Sequence, residues 1–167
     1  MAATLSMIQH NGAGPTLTNV GGSGNAWNYM TADVATPSLY SANPITFGNN
    51  SYEVWLRAMF TGVFNEVRDL RFWQSINFSP ATGLQLFWRG TQQIYLQPAT
   101  VSSSIATSSI PTADPGSANV SIGGNLSGSI VTSSGMSDFI VTQLRTTTAA
   151  PAGDTSFVTL SFSYSET

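Results

Sequence analysis

The one histidine and the few carboxylates are the residues through which this chain could do acid–base or metal chemistry. His10 is the only histidine and the chain has no cysteine. A Ser-His-Asp arrangement, or most zinc sites, would therefore have to use it. No carboxylate stands near it in the sequence, and a general base must be held firmly within hydrogen-bond reach. We interpret His10 as an exposed polar residue without a catalytic role.

A pair of carboxylates across a cleft would indicate a glycosidase. The chain has eight acids: Asp33, Glu53, Glu66, Asp69, Asp114, Asp138, Asp154 and Glu166. Glu53 could meet Glu66 or Asp69 if their strands form a hairpin. Ion pairs on a strand surface or between subunits explain these acids more simply, because three arginines share the region: Arg57, Arg68 and Arg71. We predict that the chain is not an enzyme.

Two glycine-rich segments, residues 21–25 and 123–125, do not have the spacing of a phosphate-binding loop. No helical pattern follows either one, so both are predicted to be turns. An Asp-rich calcium loop is also missing from the sequence. Asp114 or Asp154 could still take part in a calcium site of a carbohydrate-binding protein. We predict no cofactor and no metal.

Aromatic and arginine side chains are the candidates for binding another molecule. Aromatic rings can stack on sugars, and Trp and Arg are enriched in the energetic centres of protein interfaces. Core packing is the alternative, and we expect it for at least two of the four tryptophans. Trp55 shares a strand face with Glu53 and Arg57, opposite an apolar row, so it is the strongest single candidate. The candidate interface residues are Trp27, Tyr29, Trp55, Arg57 and Arg89.

The elements that must position these residues are predicted to be strands. From residue 52 to 60, apolar residues alternate with the others, which is typical of a half-buried strand. At the C-terminus, a similar alternation puts four residues on one face of a strand central to the core: Val158, Leu160, Phe162 and Tyr164. A sustained 3.6-residue period is found nowhere. Seven or eight short strands separated by Gly/Pro turns predict an all-β antiparallel sandwich or jelly roll over residues 48–167.

Within the central region, residues 84–88 are predicted to form a strand that ends at Gly90, and residues 93–96 its hairpin partner.

Residues 1–47 are predicted to form an extended arm with loops. Five glycines fall between residues 11 and 28, and ordering so flexible a backbone costs conformational entropy. We expect residues 1–30 to become ordered on a neighbouring subunit.

The low content of charged residues favours a protein that works as part of an assembly. Only 8% of the residues are charged and none is lysine, against about 25% charged in ordinary soluble domains. Such a surface must be wetted by hydroxyl and amide groups or covered by other subunits. The net charge of -3 and the lack of a basic stripe argue against nucleic-acid binding. No signal peptide or apolar stretch for a membrane span is seen, so we expect synthesis in a cytoplasm and no membrane partner.

The order of several short motifs resembles that of virion structural proteins of tailed bacteriophages, of the capsid decoration (cement) type. The motifs are Asn50-Ser51-Tyr52-Glu53, Thr61-Gly62-Val63-Phe64-Asn65, Leu70-Arg71-Phe72-Trp73, Ser104-Ile105-Ala106-Thr107, Ile110-Pro111-Thr112, residues 137–144 (SDFIVTQL), Ala150-Pro151-Ala152-Gly153 and the terminal Tyr164-Ser165-Glu166. The resemblance spans residues 48–167.

This resemblance implies a β-rich, non-enzymatic protein that is made in the host cytoplasm and binds the outer capsid surface of the virion. The implied partners are the major capsid protein and further copies of the chain, as a homotrimer. No site residue is carried over from it. The alternatives are a phage tail or fibre component and a carbohydrate-binding β-sandwich.

Overall fold

The chain folds as an all-β protein, as its sequence predicts. A computed structural model describes residues 2–20, 27–34, 41–76, 82–98, 104–153 and 158–167, and these residues contain ten strands and no α-helix. The strands are β1 (Ala3–Asn11), β2 (Thr16–Asn19), β3 (Val54–Gly62), β4 (Val67–Ile76), β5 (Leu84–Gln92), β6 (Ser108–Ser109), β7 (Ser129–Ile130), β8 (Ser134–Met136), β9 (Phe139–Thr146) and β10 (Thr159–Glu166).

The strands form two antiparallel sheets that pack on each other. The larger sheet has the order β2–β1–β3–β9–β5–β6, with β8 also paired to β3, and the smaller sheet has the order β10–β4–β7. One hydrophobic cluster contains residues of both sheets, among them Leu56 of β3 and Phe72 of β4. The predicted β-sandwich is therefore confirmed, whereas the finer jelly-roll topology stays a prediction.

The predicted alternation along β3 is confirmed. Leu56, Ala58 and Phe60 are fully buried in the core between the sheets. Because neighbouring residues of a strand point to opposite faces, Trp55 and Arg57 lie on the other face of the larger sheet. We call this second face, turned away from the smaller sheet, the outer face.

The prediction of an extended arm over residues 1–47 is wrong for residues 3–19, which form β1 and β2. β1 pairs with β3 from Ala3 to His10, and it contributes Ala3 and Met7 to the core. The alternation of Ala3, Leu5 and Met7 with polar residues is the strand signal that the glycine-rich context obscured.

The segment that follows β2 also packs on its own chain. Val20 and Met30 are buried, and the Tyr52 amide donates a hydrogen bond to the Met30 carbonyl at 2.9 Å. The larger sheet therefore begins at residue 3, well before the expected boundary. The glycines of residues 21–25 lie outside the described residues.

Gly90 does not end β5, contrary to the predicted hairpin. β5 runs through this glycine to Gln92, and residues 93–98 form no strand. A Cβ atom at Gly90 would lie 2.4 Å from the Asn119 carbonyl oxygen and 2.6 Å from the Trp88 ring. The glycine therefore permits a close approach of two chain segments and is not a turn residue.

The C-terminal strand lies at an edge and not at the centre of the core. Within the described part of the chain, β10 pairs with β4 and with no other strand. Val158, Leu160, Phe162 and Tyr164 do pack against the core on one face, as predicted, but all four are only partly buried. An edge strand has a neighbour on one side only, which leaves these side chains partly accessible.

Candidate functional site

Three of the predicted interface residues, Trp55, Arg57 and Arg89, lie on the outer face of the larger sheet. Register partners in adjacent antiparallel strands project to the same face. One row across this face therefore contains Leu17, His10, Trp55, Val141 and Arg89. The ends of the row, Leu17 and Arg89, are exposed, whereas its three middle residues are buried.

The middle of this row is buried because a segment of the same chain covers it. Tyr95, Ile105 and Ala106 pack with Trp55 and Phe139 in a second hydrophobic cluster. The Tyr95 hydroxyl donates a hydrogen bond to the Gly12 carbonyl at 2.8 Å. We call the residues 95 and 104–106 the cover.

Glu53 fixes the cover to the sheet. Its carboxylate accepts hydrogen bonds from the Trp55 indole N–H at 2.9 Å and from the Ile105 amide at 2.7 Å. Glu53 is 4% exposed. A buried carboxylate of this kind is stabilised by donors aimed at it, so its role is to hold these two segments together.

Trp55 is therefore not an interface residue, and this prediction is wrong. Its side chain is 0% exposed. The sequence placed Trp55 on the correct face, but it gave no sign that residues some 40 to 50 positions later would cover that face. Trp55 could contact another subunit only if the cover moved away from the sheet.

Arg57 also contacts residues of its own chain. Its Nε donates to the Ser137 carbonyl at 2.5 Å, and its guanidinium lies 5.0 Å from the centre of the Phe139 ring. Burial lowers the pKa of Arg57, while the nearby Asp138 carboxylate acts in the opposite direction. The Asp138 carboxylate accepts hydrogen bonds from the Ser121 hydroxyl at 2.6 Å and the Gly124 amide at 2.7 Å. Arg57 and Asp138 thus belong to a structural polar network.

The turn predicted for residues 123–125 is confirmed, and its two central residues are Gly123 and Gly124. Both glycines have positive φ values, 60° and 83°, and Ile122 and Asn125 pair across the turn. Positive φ at both positions is typical of a type I′ turn.

His10 is buried, which corrects its interpretation as an exposed residue. It is 5% exposed and lies against the Phe139 ring at 5.0 Å and the Tyr95 ring at 6.0 Å. Its Nε2 has no hydrogen-bond partner. Burial, reinforced by the charge of Arg57, lowers the pKa of His10 to about 4. The imidazole is therefore neutral at physiological pH, and it fills space under the cover.

Two tyrosines in contact with this region are similarly shifted. Burial raises the pKa of Tyr95 to about 12, and the nearby Asp33 carboxylate acts in the same direction. Burial raises the pKa of Tyr29 to about 12, although its hydroxyl donates to Thr142 Oγ1 at 2.9 Å. Burial also raises the pKa of Asp33, whose carboxylate accepts from the Gly12 amide. The tyrosines act as hydrogen-bond donors and not as bases.

Trp27 and Tyr29 pack against the core between the sheets. Both are partly buried, so their main contacts are with residues of their own chain. Of the five candidate interface residues, Arg89 is the one that is exposed.

Two exposed apolar residues follow β5 in the chain. Ile94 is 70% exposed and Leu96 is 49% exposed. They flank the anchored Tyr95, and the Ile94 carbonyl accepts a hydrogen bond from the Gln92 side chain at 2.7 Å. We call the exposed pair Ile94 and Leu96 the β5 exit surface. The sequence does not single out Ile94 and Leu96, because the alternating Ile-Tyr-Leu triplet is typical of a strand.

Glu53 and Asp69 do not form the carboxylate pair that a glycosidase would need. Glu53 lies under the cover of the larger sheet, whereas Asp69 lies in β4 of the smaller one, 3.7 Å from Arg68. Arg71 pairs with Asp114 at 2.8 Å. Among the described residues, no group of three or more His, Asp or Glu side chains could hold a metal ion. Asp154 lies outside the described residues.

Two open clefts occur on the described surface. One of about 420 Å³ is lined by Gln85, Arg145 and Thr147, among others. The other, of about 340 Å³, is lined by Asp69, Arg71 and Ser165, among others. Arg145 is already bound to the Ala106 carbonyl and the Gln143 side chain, and Arg71 is bound to Asp114. Neither cleft thus offers a free arginine to a ligand.

Comparison of the chain with protein-family models, with curated proteins and with solved structures finds no match. Within the described residues, no helix is long and apolar enough to cross a bilayer.

Proposed function

We propose that this chain is a structural virion protein that decorates and stabilises the outer surface of a bacteriophage capsid. The observation that carries the proposal is an anchored apolar surface on a chain with very few charges. Ile94 and Leu96 project from a segment that Tyr95 ties to the sheet. Exposed apolar residues held in a fixed position are typical of protein-binding surfaces.

The polar groups of the outer face support a structural role over a catalytic one. Glu53, His10 and Arg57 are the residues whose types could do chemistry, and each is buried or partly buried against its own chain. Glu53 and Arg57 are engaged in hydrogen bonds that fix chain segments. A catalytic group must instead reach a substrate.

The choice of a capsid as the partner comes from the order of sequence motifs over residues 48–167. A low surface charge favours close packing on a protein shell, because fewer charges lose their hydration when the surfaces meet. The partner would be the major capsid protein. The resemblance also implies a trimer, and this number of copies stays a prediction.

The carbohydrate-binding alternative needs an accessible aromatic ring for stacking. Trp55 and Trp88 are buried, and the Arg145 guanidinium lies 3.9 Å from the centre of the Phe87 ring and covers it. These three rings are therefore not open to a sugar.

The experiment that separates these functions compares two probes under the same conditions. Purified protein is mixed with empty capsid shells of the encoding phage and pelleted, and a labelled sample is applied to a glycan array. We expect the protein to pellet with the shells and to leave the array unlabelled. Binding to glycans without binding to shells would contradict the proposal, and binding to isolated tails or fibres alone would move the protein to that part of the virion.

A further inference from the structure

The free edge of β10 offers the backbone of its apolar residues for pairing. In an antiparallel ladder, the N–H and C=O of one residue point to the same side of the strand, and the side alternates along the chain. The Phe72 amide and carbonyl are both bonded to the Asn119 side chain, at 2.8 Å each, on the side of β4 away from β10. Phe162, the register partner of Phe72, must therefore direct its own N–H and C=O to the free edge.

The same geometry holds one pair further along. The Gln74 amide donates to the Pro111 carbonyl at 2.8 Å, again away from β10. Its register partner Leu160 thus also directs its backbone groups to the free edge. Among the residues that the structure describes, no strand pairs with β10 on that side.

β10 lacks the features that usually protect an edge strand. Charged side chains, proline and bulges are the common protections. From Thr159 to Ser165 the strand has no charge and no proline. The register shifts twice between β10 and β4, and each time the additional residue lies in β4, once at Ser75 and once near Asp69, whose φ is 54°. β10 itself continues without an inserted residue.

Apolar surface lies along the same edge. Leu160, Phe162 and Tyr164 are partly buried. The rings of Tyr164 and Phe60 pack edge-to-face with their centres 5.0 Å apart, and Leu5, the register partner of Phe60, is partly buried as well. A strand added beside β10 would cover more of this surface.

We propose that the free edge of β10 binds the β10 strand of a second copy of this chain in an antiparallel, two-fold pair. The strand is complementary to itself when Phe162 lies opposite Phe162 of the second copy. Leu160 then lies opposite Tyr164, so all edge-facing backbone groups meet. On the other face Ser161 lies opposite Ser163 and Thr159 opposite Ser165.

This self-complementarity selects a second copy over another partner. Like charges directly opposite each other destabilise a strand pair, and none occurs here between Thr159 and Ser165. A two-fold contact uses the same patch on both subunits. It joins copies in pairs, so it predicts an even number of copies and not the trimer that the resemblance implies. The inference does not depend on a capsid partner.

Cysteine cross-linking tests the pairing, because the chain has no cysteine of its own. In the Ser161→Cys/Ser163→Cys variant, each thiol faces a thiol of the other copy in a non-hydrogen-bonded pair, with Cα atoms about 4.5 Å apart, within the range for a disulfide. The single variants Ser161→Cys and Ser163→Cys are the matched controls. In each of them the two cysteines of the dimer lie diagonally across the strand pair, about 7–8 Å apart.

After mild oxidation, we expect the double variant to migrate at twice 17.6 kDa on a non-reducing gel and both single variants to remain mainly at the monomer mass. Equal cross-linking of all three variants, or none, would overturn the proposal. Circular dichroism under reducing conditions shows whether each variant retains the fold.

Charge variants provide a second, reversible readout. Ser161→Lys/Ser163→Lys opposes like charges twice across the two-fold, whereas Ser161→Lys/Ser163→Glu opposes unlike charges. Ser163 accepts a hydrogen bond from Arg71, so the folding of both variants is compared first. We expect the dimer dissociation constant of the first variant to exceed that of the second by about tenfold. Equal constants, or a wild-type chain that stays monomeric at every concentration, would overturn the inference even if the chain binds shells.

Discussion

The Tyr95 and Trp55 rings pack in a T-shaped arrangement, with the ring centres 5.2 Å apart. This contact joins the segment after β5 to the middle of the larger sheet. It buries the tryptophan and leaves the neighbours of the tyrosine, Ile94 and Leu96, exposed. The same contact therefore removes one candidate interface residue and holds the β5 exit surface in place.

The β5 exit surface should contribute to shell attachment. We expect Ile94→Ser/Leu96→Ser to weaken binding to capsid shells by at least about tenfold, because apolar anchors supply much of an interface's binding energy. Co-sedimentation at increasing protein concentration measures this. Val131→Ser is the matched control, since Val131 is 69% exposed but does not belong to this surface. Equal loss of binding in both variants would show that the β5 exit surface has no specific role in shell attachment.

Glu53→Gln should loosen the cover without unfolding the sheet. One carboxylate accepts from two donors, the Trp55 indole and the Ile105 amide, whereas a glutamine presents an NH2 group to one of them. A buried donor left without an acceptor costs about 1–3 kcal/mol. Hydrogen exchange of the Ile105 amide should accelerate more than that of amides in β4. Unchanged exchange at Ile105 would show that Glu53 does not hold the cover.

Stability should rise with pH between about 4 and 6.5 because of His10. Its pKa is about 4 in the folded chain and 6.5 in the unfolded chain, so the unfolded state binds more protons in this window. The stabilisation is complete above pH 6.5 and is lost as the pH falls towards 4, by up to about 3 kcal/mol.

His10→Phe should remove this dependence, because phenylalanine keeps the packing against Phe139 and does not titrate. The raised pKa of Asp33 acts in the opposite direction and is common to both proteins, so the difference between the two urea-unfolding series isolates His10. Parallel pH profiles would contradict a buried neutral His10.

The two phenylalanines that face each other in the smaller sheet should differ in their effect on stability. Phe72 is 0% exposed, whereas its register partner Phe162 is partly buried at the edge. Truncation of a buried phenylalanine costs about 3–5 kcal/mol. We expect Phe72→Ala to lie in that range and Phe162→Ala near 2 kcal/mol in urea unfolding of the monomer. A larger loss for Phe162→Ala would place β10 at the centre of the core.

The sequence sufficed to predict most strands, but it did not predict which segments lie next to each other in the fold. The alternation in β3 and β10 predicts which residues share a face, because side-chain direction is a local property of a strand. It does not say that β10 lies at an edge or that Tyr95 and Ala106 cover Trp55, since these contacts join residues far apart in the chain. The glycines that follow β1 indicate an arm, whereas the alternation of Leu5 and Met7 with polar residues indicates the strand that the structure contains.

His10 illustrates the same limit for the candidate site. Its type and its isolation in the sequence argue against a catalytic triad, but they carry no information on burial. The pairing of His10 with Trp55 across β1 and β3 and the contact with Phe139 from β9 determine its environment. A glycine can mislead in a similar way, because Gly90 makes room for Asn119 and does not end a strand.

The saturation of capsid shells by the purified chain tests the central claim most directly. Structural decoration fills symmetry-equivalent positions on a closed shell, so the amount of bound protein should reach a plateau at a fixed whole-number ratio to the major capsid protein. The same preparation should raise the temperature at which the shells disrupt. Binding that never saturates, or shells that remain bare at protein concentrations in the micromolar range, would contradict the account.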